Sequence, residues 1–350
     1  MGANVRFCSA VGDDLSGRAA LDALALEGLS STAVATLADK RTAQYVSVNK
    51  QNKDLAVAMA DMSILDPPAS GQEDAIARAF DEIWLPQLTD PKPTHLVLDA
   101  NWPPQYLARW LRAGRDINAH ITFEPVSNAK SIIPFQLPST TLLPCFPDNL
   151  LNLATPNKYE LQSMTSHARS ASFFDRQDWW EVIDALGIPS SGARAALSLA
   201  TSPELVDQGI PQQSIQLLPF IPSLCVKLGS AGVLVTQLLP ANDPRLTSGE
   251  DAPHILSRCT NGTEETLGVG GVYMRLFPAV EQVAEEDVVS VNGVGDTFAG
   301  VLIAGLAGAE AEGRESRIDE WVDVAQRAAV LTLKSKEAVS PGLGTLRMLM

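Results

Sequence analysis

The sequence predicts an α/β protein with a mainly parallel sheet that is covered by helices on both faces. Strand-like apolar runs alternate with helical segments: "VRFCSAVG" at 5–12 precedes "DDLSGRAALDALALEGL", and "THLVLDAN" at 94–101 precedes "PPQYLARWLRAG". A third apolar run, "AHITFEPVS" at 119–127, is followed by the short segment "NAKSII". Such alternation is typical of parallel sheets, because consecutive parallel strands need a crossover connection that is usually a helix.

Composition limits the classes of function. Hydrophobic residues make up 45% and charged residues 19% of the 350, which is ordinary for a globular protein. The net charge of −15 would repel a phosphate backbone, so we expect no nucleic acid polymer as a partner. The four scattered cysteines form no CxxC pair, which indicates reduced thiols and no zinc site. With no long apolar run and no signal-peptide pattern, we expect an intracellular, cytoplasmic protein without a membrane segment.

Two regions depart from the strand–helix alternation. Residues 41–64 contain two β-rich pieces joined by the polar stretch "NKQNKD", which predicts a half-exposed hairpin beside the main sheet. Residues 188–222 and 238–268 are rich in Pro, Ser, Gly and Thr, which predicts loops or insertions. We therefore expect a core formed by 1–38 and 66–350, with a small β flap at 39–65. Later, 223–237 predicts two strands around a glycine turn, and helices are expected at about 296–310 and 317–334.

The stretch "VNGVGDTFAG" at 291–300 carries the strongest candidate site. Gly293 and Gly295 tolerate backbone angles that other residues resist, and Asp296 falls at the start of a helix. The first amides of a helix have no internal partners and attract anions, so a phosphate would suit this position. The structural alternative is that Asp296 only caps the helix.

Two further stretches have a structural and a functional interpretation each. In "ATPNKYEL" at 154–161, Asn157 and Glu160 have capping-box spacing, but they could also face a hydrated magnesium ion. In "VKLGSAGVLV" at 226–235, Gly229 and Gly232 form either a simple turn or a turn beside a nucleotide. No GxxxxGK[ST], GxGxxG or GxSxG pattern occurs, and the four histidines lack metal-binding spacing. P-loop NTPases, Rossmann dehydrogenases and α/β-hydrolases are therefore disfavoured.

The order of these motifs is more specific than any one of them. "TPNKYE", "KLGSAG" and "NGVGDTFAG", in that order, resemble the ribokinase-like (PfkB-type) carbohydrate kinases, which usually have alanine in place of Val294. The resemblance extends from about residue 4 to the C-terminus and implies a three-layer α/β/α sandwich with a β flap, or lid. Within the family the chain looks most like pseudouridine kinases, on the segments "SAVGDDLSGR", "RTAQYVSVNKQNKDLAVAMADMSIL", "LDAN" and "FEPVSNAK".

The resemblance implies a role for each matching residue. Asp296 would be the catalytic base that takes a proton from the 5′-hydroxyl of the ribose, and ATP and Mg²⁺ would be the cofactors. The anion hole would consist of Gly293, Val294 and Gly295, and the ATP-binding residues would be Lys227, Gly229 and Gly232. Asn157 and Glu160 would hold Mg²⁺ through waters, and Thr42, Gln44 and Asp61 would face the nucleoside. A monovalent cation such as K⁺ would be bound by "SKEAVSPGLG" at 335–344.

The resemblance also bears on partners and on the start of the chain. Some relatives are fused to a pseudouridine-5′-phosphate glycosidase, so a fused or partner glycosidase is expected, and a homodimer is compatible with the family. Family members begin with a strand carrying a sugar-binding aspartate and then a GG…N segment, neither of which precedes "MGANVRF". A shortened gene model, a fragment of a longer protein and a non-catalytic nucleotide-binding homologue all fit this pattern. Another acceptor, such as ribose, fructose or adenosine, is the alternative substrate.

Overall fold

A computed structural model of the chain describes residues 3–49, 55–90, 92–188, 192–259 and 267–349. The strands are β1 (Ser9–Gly12), β2 (Val34–Leu37), β3 (Gln44–Asn49), β4 (Leu55–Asp61), β5 (His95–Asp99), β6 (His120–Glu124), β7 (Leu153–Ala154), β8 (Ser223–Lys227), β9 (Val233–Pro240), β10 (Ile255–Arg258) and β11 (Val269–Phe277). Within the described residues, seven of them form the main sheet in the order β10-β11-β9-β8-β7-β6-β5. Strands β5 to β8 run parallel, whereas β9, β10 and β11 pair antiparallel.

The helices are α1 (Leu15–Leu26), α2 (Ala75–Ala79), α3 (Leu85–Gln87), α4 (Pro104–Asp116), α5 (Lys158–Ser170), α6 (Gln177–Ala185), α7 (Ala193–Ala200), α8 (Pro203–Asp207), α9 (Ile210–Leu217), α10 (Val294–Ala311) and α11 (Ile318–Leu333). A turn of π-helix, Phe80–Trp84, joins α2 to α3. The helices predicted near 296–310 and 317–334 are α10 and α11.

The interpretation of 188–222 as loops is wrong for the residues that the structure describes, because α7, α8 and α9 lie there. These helices are short, and their start signals are the polar and proline residues that also mark loops: Ser202 caps α8, and Pro203 follows it. In 238–268, β9 continues to Pro240 and β10 forms a further strand. Residues 189–191 and 260–266 lie outside the described part.

Two apolar cores, one on each face of the main sheet, establish three layers. Alternate residues of β8 point to opposite faces. Leu224 and Val226 belong to the larger core, which contains apolar residues of α4 to α9, whereas Cys225 belongs to a smaller core with α10 and α11. The chain is therefore an α/β/α sandwich, as the sequence predicts.

The small sheet of β1 and β2 is attached to the larger core through Trp84. β1 and β2 pair in parallel, with α1 as their crossover. Trp84 is fully buried, and its indole nitrogen donates a hydrogen bond to the carbonyl of Ala33 at 3.0 Å. Its ring packs edge-on against Trp102 at a centroid distance of 5.1 Å. This contact fixes the β1–β2 unit against the helices beside β5.

A β-hairpin lies where the sequence predicts the flap. β3 and β4 pair antiparallel and form a sheet of their own. The predicted connecting turn falls on residues 50–54, which are outside the described residues. The side chains of Tyr45, Val46, Val48, Val57 and Met59 are all exposed. Exposed apolar side chains on a hairpin of this kind are suited to contact with a ligand or another surface.

The apolar sequence of α10 is explained by its packing against α11. α10 is long and apolar enough to cross a membrane by length and composition, but half of it is buried inside the domain. At its centre Gly305 lies against the ring of Trp321 in α11, where any side chain would overlap the indole. The apolar character of α10 therefore follows from its place in the smaller core.

Candidate active site

Lys227, the last residue of β8, connects the three sequence motifs. Its backbone amide donates to the carbonyl of Pro156 at 2.8 Å, and the residue pairs in parallel with Asn157. Its ammonium nitrogen lies 3.1 Å from the position that a Cβ on Gly295 would occupy. The motifs at 154–161, 226–235 and 291–300 therefore meet at the carboxyl ends of the parallel strands. Open α/β sheets bind their ligands at this edge.

The N-terminus of α10 has an unusual cap. Gly293 is the N-cap residue, with φ of 73°, and no side chain caps the helix. A Cβ on Gly293 would overlap the carbonyl oxygen of Ala338, so the loop 335–344 packs directly on this turn. The interpretation of Asp296 as the cap is wrong: Asp296 lies in the first turn, and its side chain is exposed. The first amides of the helix, which have no partner within it, and the exposed carboxylate of Asp296 therefore lie at the same end of α10.

Asn157 and Glu160 form the capping box that their spacing predicts. Asn157 Oδ1 accepts hydrogen bonds from the amides of Tyr159 and Glu160, and Glu160 Oε2 accepts one from the amide of Asn157 at 2.7 Å. In the described residues no group of three or more His, Cys, Asp or Glu is arranged to hold a metal directly. The described contacts of Glu160 use one of its two carboxylate oxygens. This arrangement fits a hydrated magnesium ion held through waters, and not a fully ligated one.

Gly229 and Gly232 lie in the turn between β8 and β9. Gly229–Ala231 form a single 3₁₀ turn, and the amide of Leu228 donates to the carbonyl of Gly232 at 2.8 Å. Because the two strands are antiparallel, the turn interpretation is correct. The turn lies close to Lys227, at the same edge of the sheet as the other motifs. Contact between this turn and a nucleotide stays a prediction.

A buried acidic residue that the sequence analysis did not place in the site is central to it. Glu124 ends β6, and its two carboxylate oxygens accept hydrogen bonds from Lys227 Nζ at 3.0 and 3.1 Å. The hydroxyl of Thr155 also donates to Glu124. Burial raises the pKa of Glu124, against the opposing effects of Lys227 and Thr155. The signals in the sequence are an acid at the end of the apolar strand "HITFE" and its place in the segment "FEPVSNAK".

The predicted substrate residues lie at the base of the flap. Gln44 and Asp61 are opposite each other in the hairpin. Gln44 Nε2 donates to Ser16 Oγ at 3.3 Å, and Asp61 accepts from the amide and hydroxyl of Ser63. The bonds made by Asp61 lower its pKa, and the Ser63 hydroxyl has the largest effect. Their contact with a nucleoside stays a prediction.

Thr42, at the base of the flap, forms structural hydrogen bonds to the residues that precede α1. Its hydroxyl donates to Asp14 at 2.6 Å and accepts from the amide of Gly12 at 3.0 Å, and the residue is buried. Asp14 also accepts from the amides of Thr42 and Gly17 at 2.8 and 2.7 Å. Asp14 therefore joins the start of α1 to the start of the flap. The spacing of Asp14 and Thr42 in the sequence does not predict this hinge between α1 and the flap.

Asp14→Ala is expected to loosen the flap, because alanine removes the acceptor of three hydrogen bonds. We expect a lower melting temperature and faster proteolysis within 39–65. The hydroxyl of Thr42, above all, lowers the pKa of Asp14 from 3.8 to about 2. The difference from wild type should thus be complete above pH 3.8 and disappear as the pH falls through about 2.

The matched control is Asp13→Ala, since Asp13 is exposed and its carboxylate pairs with Arg18 on the surface at 3.3 Å. Melting curves and limited proteolysis of both variants from neutral pH to pH 2 test the hinge. Equal behaviour of the two variants would show that Asp14 does not hold the flap.

The comparisons with known proteins agree with this geometry. The profile of the pfkB family carbohydrate kinases matches residues 260–344, which contain the N-terminus of α10. The chain is also 26% identical over 349 residues to the pseudouridine-metabolizing bifunctional protein of Schizosaccharomyces pombe. The family match and this relative together support a PfkB-type kinase. The match covers 99% of this chain but 41% of the yeast protein, so the chain spans less than half the length of that relative.

Solved structures extend the comparison to the whole fold of this chain. Ribokinase from Cryptococcus neoformans var. grubii serotype A in complex with ADP superimposes with a TM-score of 0.57 at 14% identity, covering 100% of this chain and 84% of that one. Arabidopsis thaliana ribokinase complexed with ribose and ATP gives 0.55 at 14% identity, covering 98% and 81%. The ribokinase-like fold predicted from the motif order is confirmed.

Proposed function

We propose that the chain transfers the terminal phosphoryl group of ATP to the 5′-hydroxyl of pseudouridine. The observation that carries the proposal is the position of Lys227, whose backbone pairs with the Asn157 motif and whose ammonium lies beside Gly295 at the α10 N-terminus. The pfkB match over residues 260–344 supports a carbohydrate or nucleoside kinase. The yeast relative is named for pseudouridine metabolism, and the two ribokinases hold ADP, or ribose with ATP. These names support the choice of acceptor and donor.

In this proposal Asp296 is the general base. As the 5′-oxygen bonds to the γ-phosphorus, the bond from that phosphorus to the bridging oxygen breaks and ADP leaves. The proton of the hydroxyl goes to the Asp296 carboxylate. The amides of Gly293, Val294 and Gly295, at the positive end of α10, hold the phosphoryl oxygens during the transfer. Positioning and charge stabilisation of this kind account for most of the catalysis of phosphoryl transfer.

The proposed reaction uses two cations, Mg²⁺ and K⁺. Mg²⁺, when bound, would neutralise charge on the ATP phosphates. Asn157 and Glu160 would hold it through waters, which suits their capping-box geometry. The loop 335–344, whose Ala338 packs on Gly293, is the proposed place for K⁺.

The remaining assignments are also proposals. Gln44 and Asp61, on facing strands at the flap base, would contact the nucleoside, with Thr42 supporting them from the hinge. Gly229 and Gly232 would lie beside the nucleotide. A pseudouridine-5′-phosphate glycosidase, fused or separate, would act next to this kinase, since the yeast relative is bifunctional. An intracellular location and a homodimer complete the proposal.

A substrate panel tests this function. The chain, and any longer natural polypeptide that contains it, would be incubated with ATP, Mg²⁺ and pseudouridine, uridine, adenosine, ribose or fructose. ADP release and the mass of the product would be measured. We expect pseudouridine 5′-monophosphate as the preferred product. Preference for another acceptor would overturn the substrate, and ATP binding without turnover on any acceptor would overturn the kinase assignment.

A further inference from the structure

Three side chains form a strand-end cluster beside the proposed anion hole: Glu124, Thr155 and Lys227. Glu124 and Lys227 end β6 and β8, and Thr155 directly follows β7, which lies between them in the sheet. The side chains of Lys227 and Glu124 are 17% and 10% exposed. The cluster is thus largely removed from water, and Glu124 accepts hydrogen bonds from both of its partners.

Stability alone is a poor explanation for this cluster. Burying two charges has a desolvation cost that their attraction often fails to recover, so a buried ion pair is weak evidence of stabilisation. The pair does, however, hold the ammonium group in a defined position. Both Glu124 oxygens hold Lys227 Nζ, at 3.0 and 3.1 Å, against the first turn of α10.

The ammonium of Lys227 lies where the helix dipole of α10 is unfavourable for a cation. The N-terminus of a helix carries a partial positive charge, so a cation there is at the unfavourable end of the dipole. Glu124 balances the ammonium from the sheet side. The ammonium lies beside the first turn of α10, so a single anion there would interact favourably with both the ammonium and the free helix amides. A lysine ammonium has three donors, so it can bind a phosphate oxygen while Glu124 holds it.

We propose that Lys227 binds the transferred phosphoryl group at the anion hole, and that Glu124 and Thr155 are the positioning residues that keep its ammonium there. This inference rests on the proposed kinase function and deepens it. Lys227 then acts on the reacting phosphate and not only on the nucleotide. This role of Lys227 also explains why residue 295 is a glycine, since a Cβ there would lie 3.1 Å from the ammonium nitrogen.

A double-mutant cycle tests the division of roles. Lys227→Met should lower kcat by roughly 10²–10³-fold, as expected for the loss of one donor to a developing oxyanion, with a smaller change in KM for the acceptor. Glu124→Gln should lower kcat by less, because the ammonium remains but is less well held. Lys227→Met/Glu124→Gln should be no slower than Lys227→Met alone, since Glu124 acts through Lys227. Independent, multiplying effects would overturn the positioning role.

Two further variants separate chemistry from folding. Lys227→Arg keeps the charge and should retain more activity than Lys227→Met, and ethylammonium added to Lys227→Ala should restore part of the rate that this truncation loses. A purely structural lysine would give no such recovery. The control is Lys334→Met, which breaks an exposed Lys–Glu pair with Glu281 and should leave kcat unchanged.

Binding measurements distinguish failure of this inference from failure of the proposed function. By calorimetry, wild type should prefer ATP to ADP because Lys227 contacts the terminal phosphate, and Lys227→Met should lose that preference. Loss of the preference in a chain that phosphorylates no acceptor would support this inference and overturn the proposed function. Turnover by wild type, with kcat and the ATP preference unchanged in Lys227→Met, would overturn this inference alone.

Discussion

Asp296→Asn is expected to lower kcat by roughly 10²–10⁴-fold, because the amide cannot accept the proton of the attacking hydroxyl. The substitution should spare the fold, since Asp296 is exposed and does not cap α10. ATP affinity should be equal to or slightly higher than that of wild type, as one negative charge is removed from the phosphate site. Steady-state kinetics with the preferred acceptor, together with calorimetry of ATP binding, measures both quantities.

The matched control is Asp287→Asn, which removes the same charge from an exposed residue that precedes Asp296 by nine positions. It should leave kcat and ATP affinity unchanged. Activity of Asp296→Asn within about tenfold of wild type would be inconsistent with a general base, whose loss costs far more. Equal losses in the two variants would indicate a general effect of charge and not catalysis by Asp296.

The local motifs were predictable from the sequence because each depends on neighbours in the chain. The capping box of Asn157 and Glu160 needs only three-residue spacing, and the turn at Gly229 and Gly232 needs only the glycines between two apolar runs. The start of α10 was predicted to within a few residues for the same reason. Its cap was not: Gly293 rather than Asp296 takes that position, and it packs against Ala338, which is distant in the sequence.

The contacts that assemble the site were not predictable in this way. Glu124 and Lys227 are 103 positions apart, and they meet only because β6 and β8 flank β7 in the main sheet. The hinge between Asp14 and Thr42 spans 28 positions and depends on how the flap leaves the β1–β2 unit. A single sequence carries no periodicity or spacing for such pairs. The short helices α7, α8 and α9 were missed because tertiary packing, not length or pattern, stabilises them.

Gly293→Ala is expected to remove most activity, because a side chain at this position disturbs the anion hole in two ways. An alanine at φ of 73° is in the left-handed region, which costs roughly 1–2 kcal/mol. Its Cβ would also overlap the carbonyl oxygen of Ala338, so the turn or the loop 335–344 must move. A displacement of about 1 Å in catalytic groups can cost roughly 10²-fold in rate, and we expect a loss of at least that size in kcat.

The same helix provides the opposite case as a control. A Cβ on Gly308 meets nothing within 4 Å, and the residue lies in the interior of α10, away from the anion hole. Gly308→Ala should therefore stabilise the fold by about 0.5–1 kcal/mol and leave kcat unchanged. Melting temperature and kcat of the two variants test the contrast. If Gly293→Ala retained full activity, the amides at the start of α10 would not be the phosphate site, because the turn that presents them could move without effect.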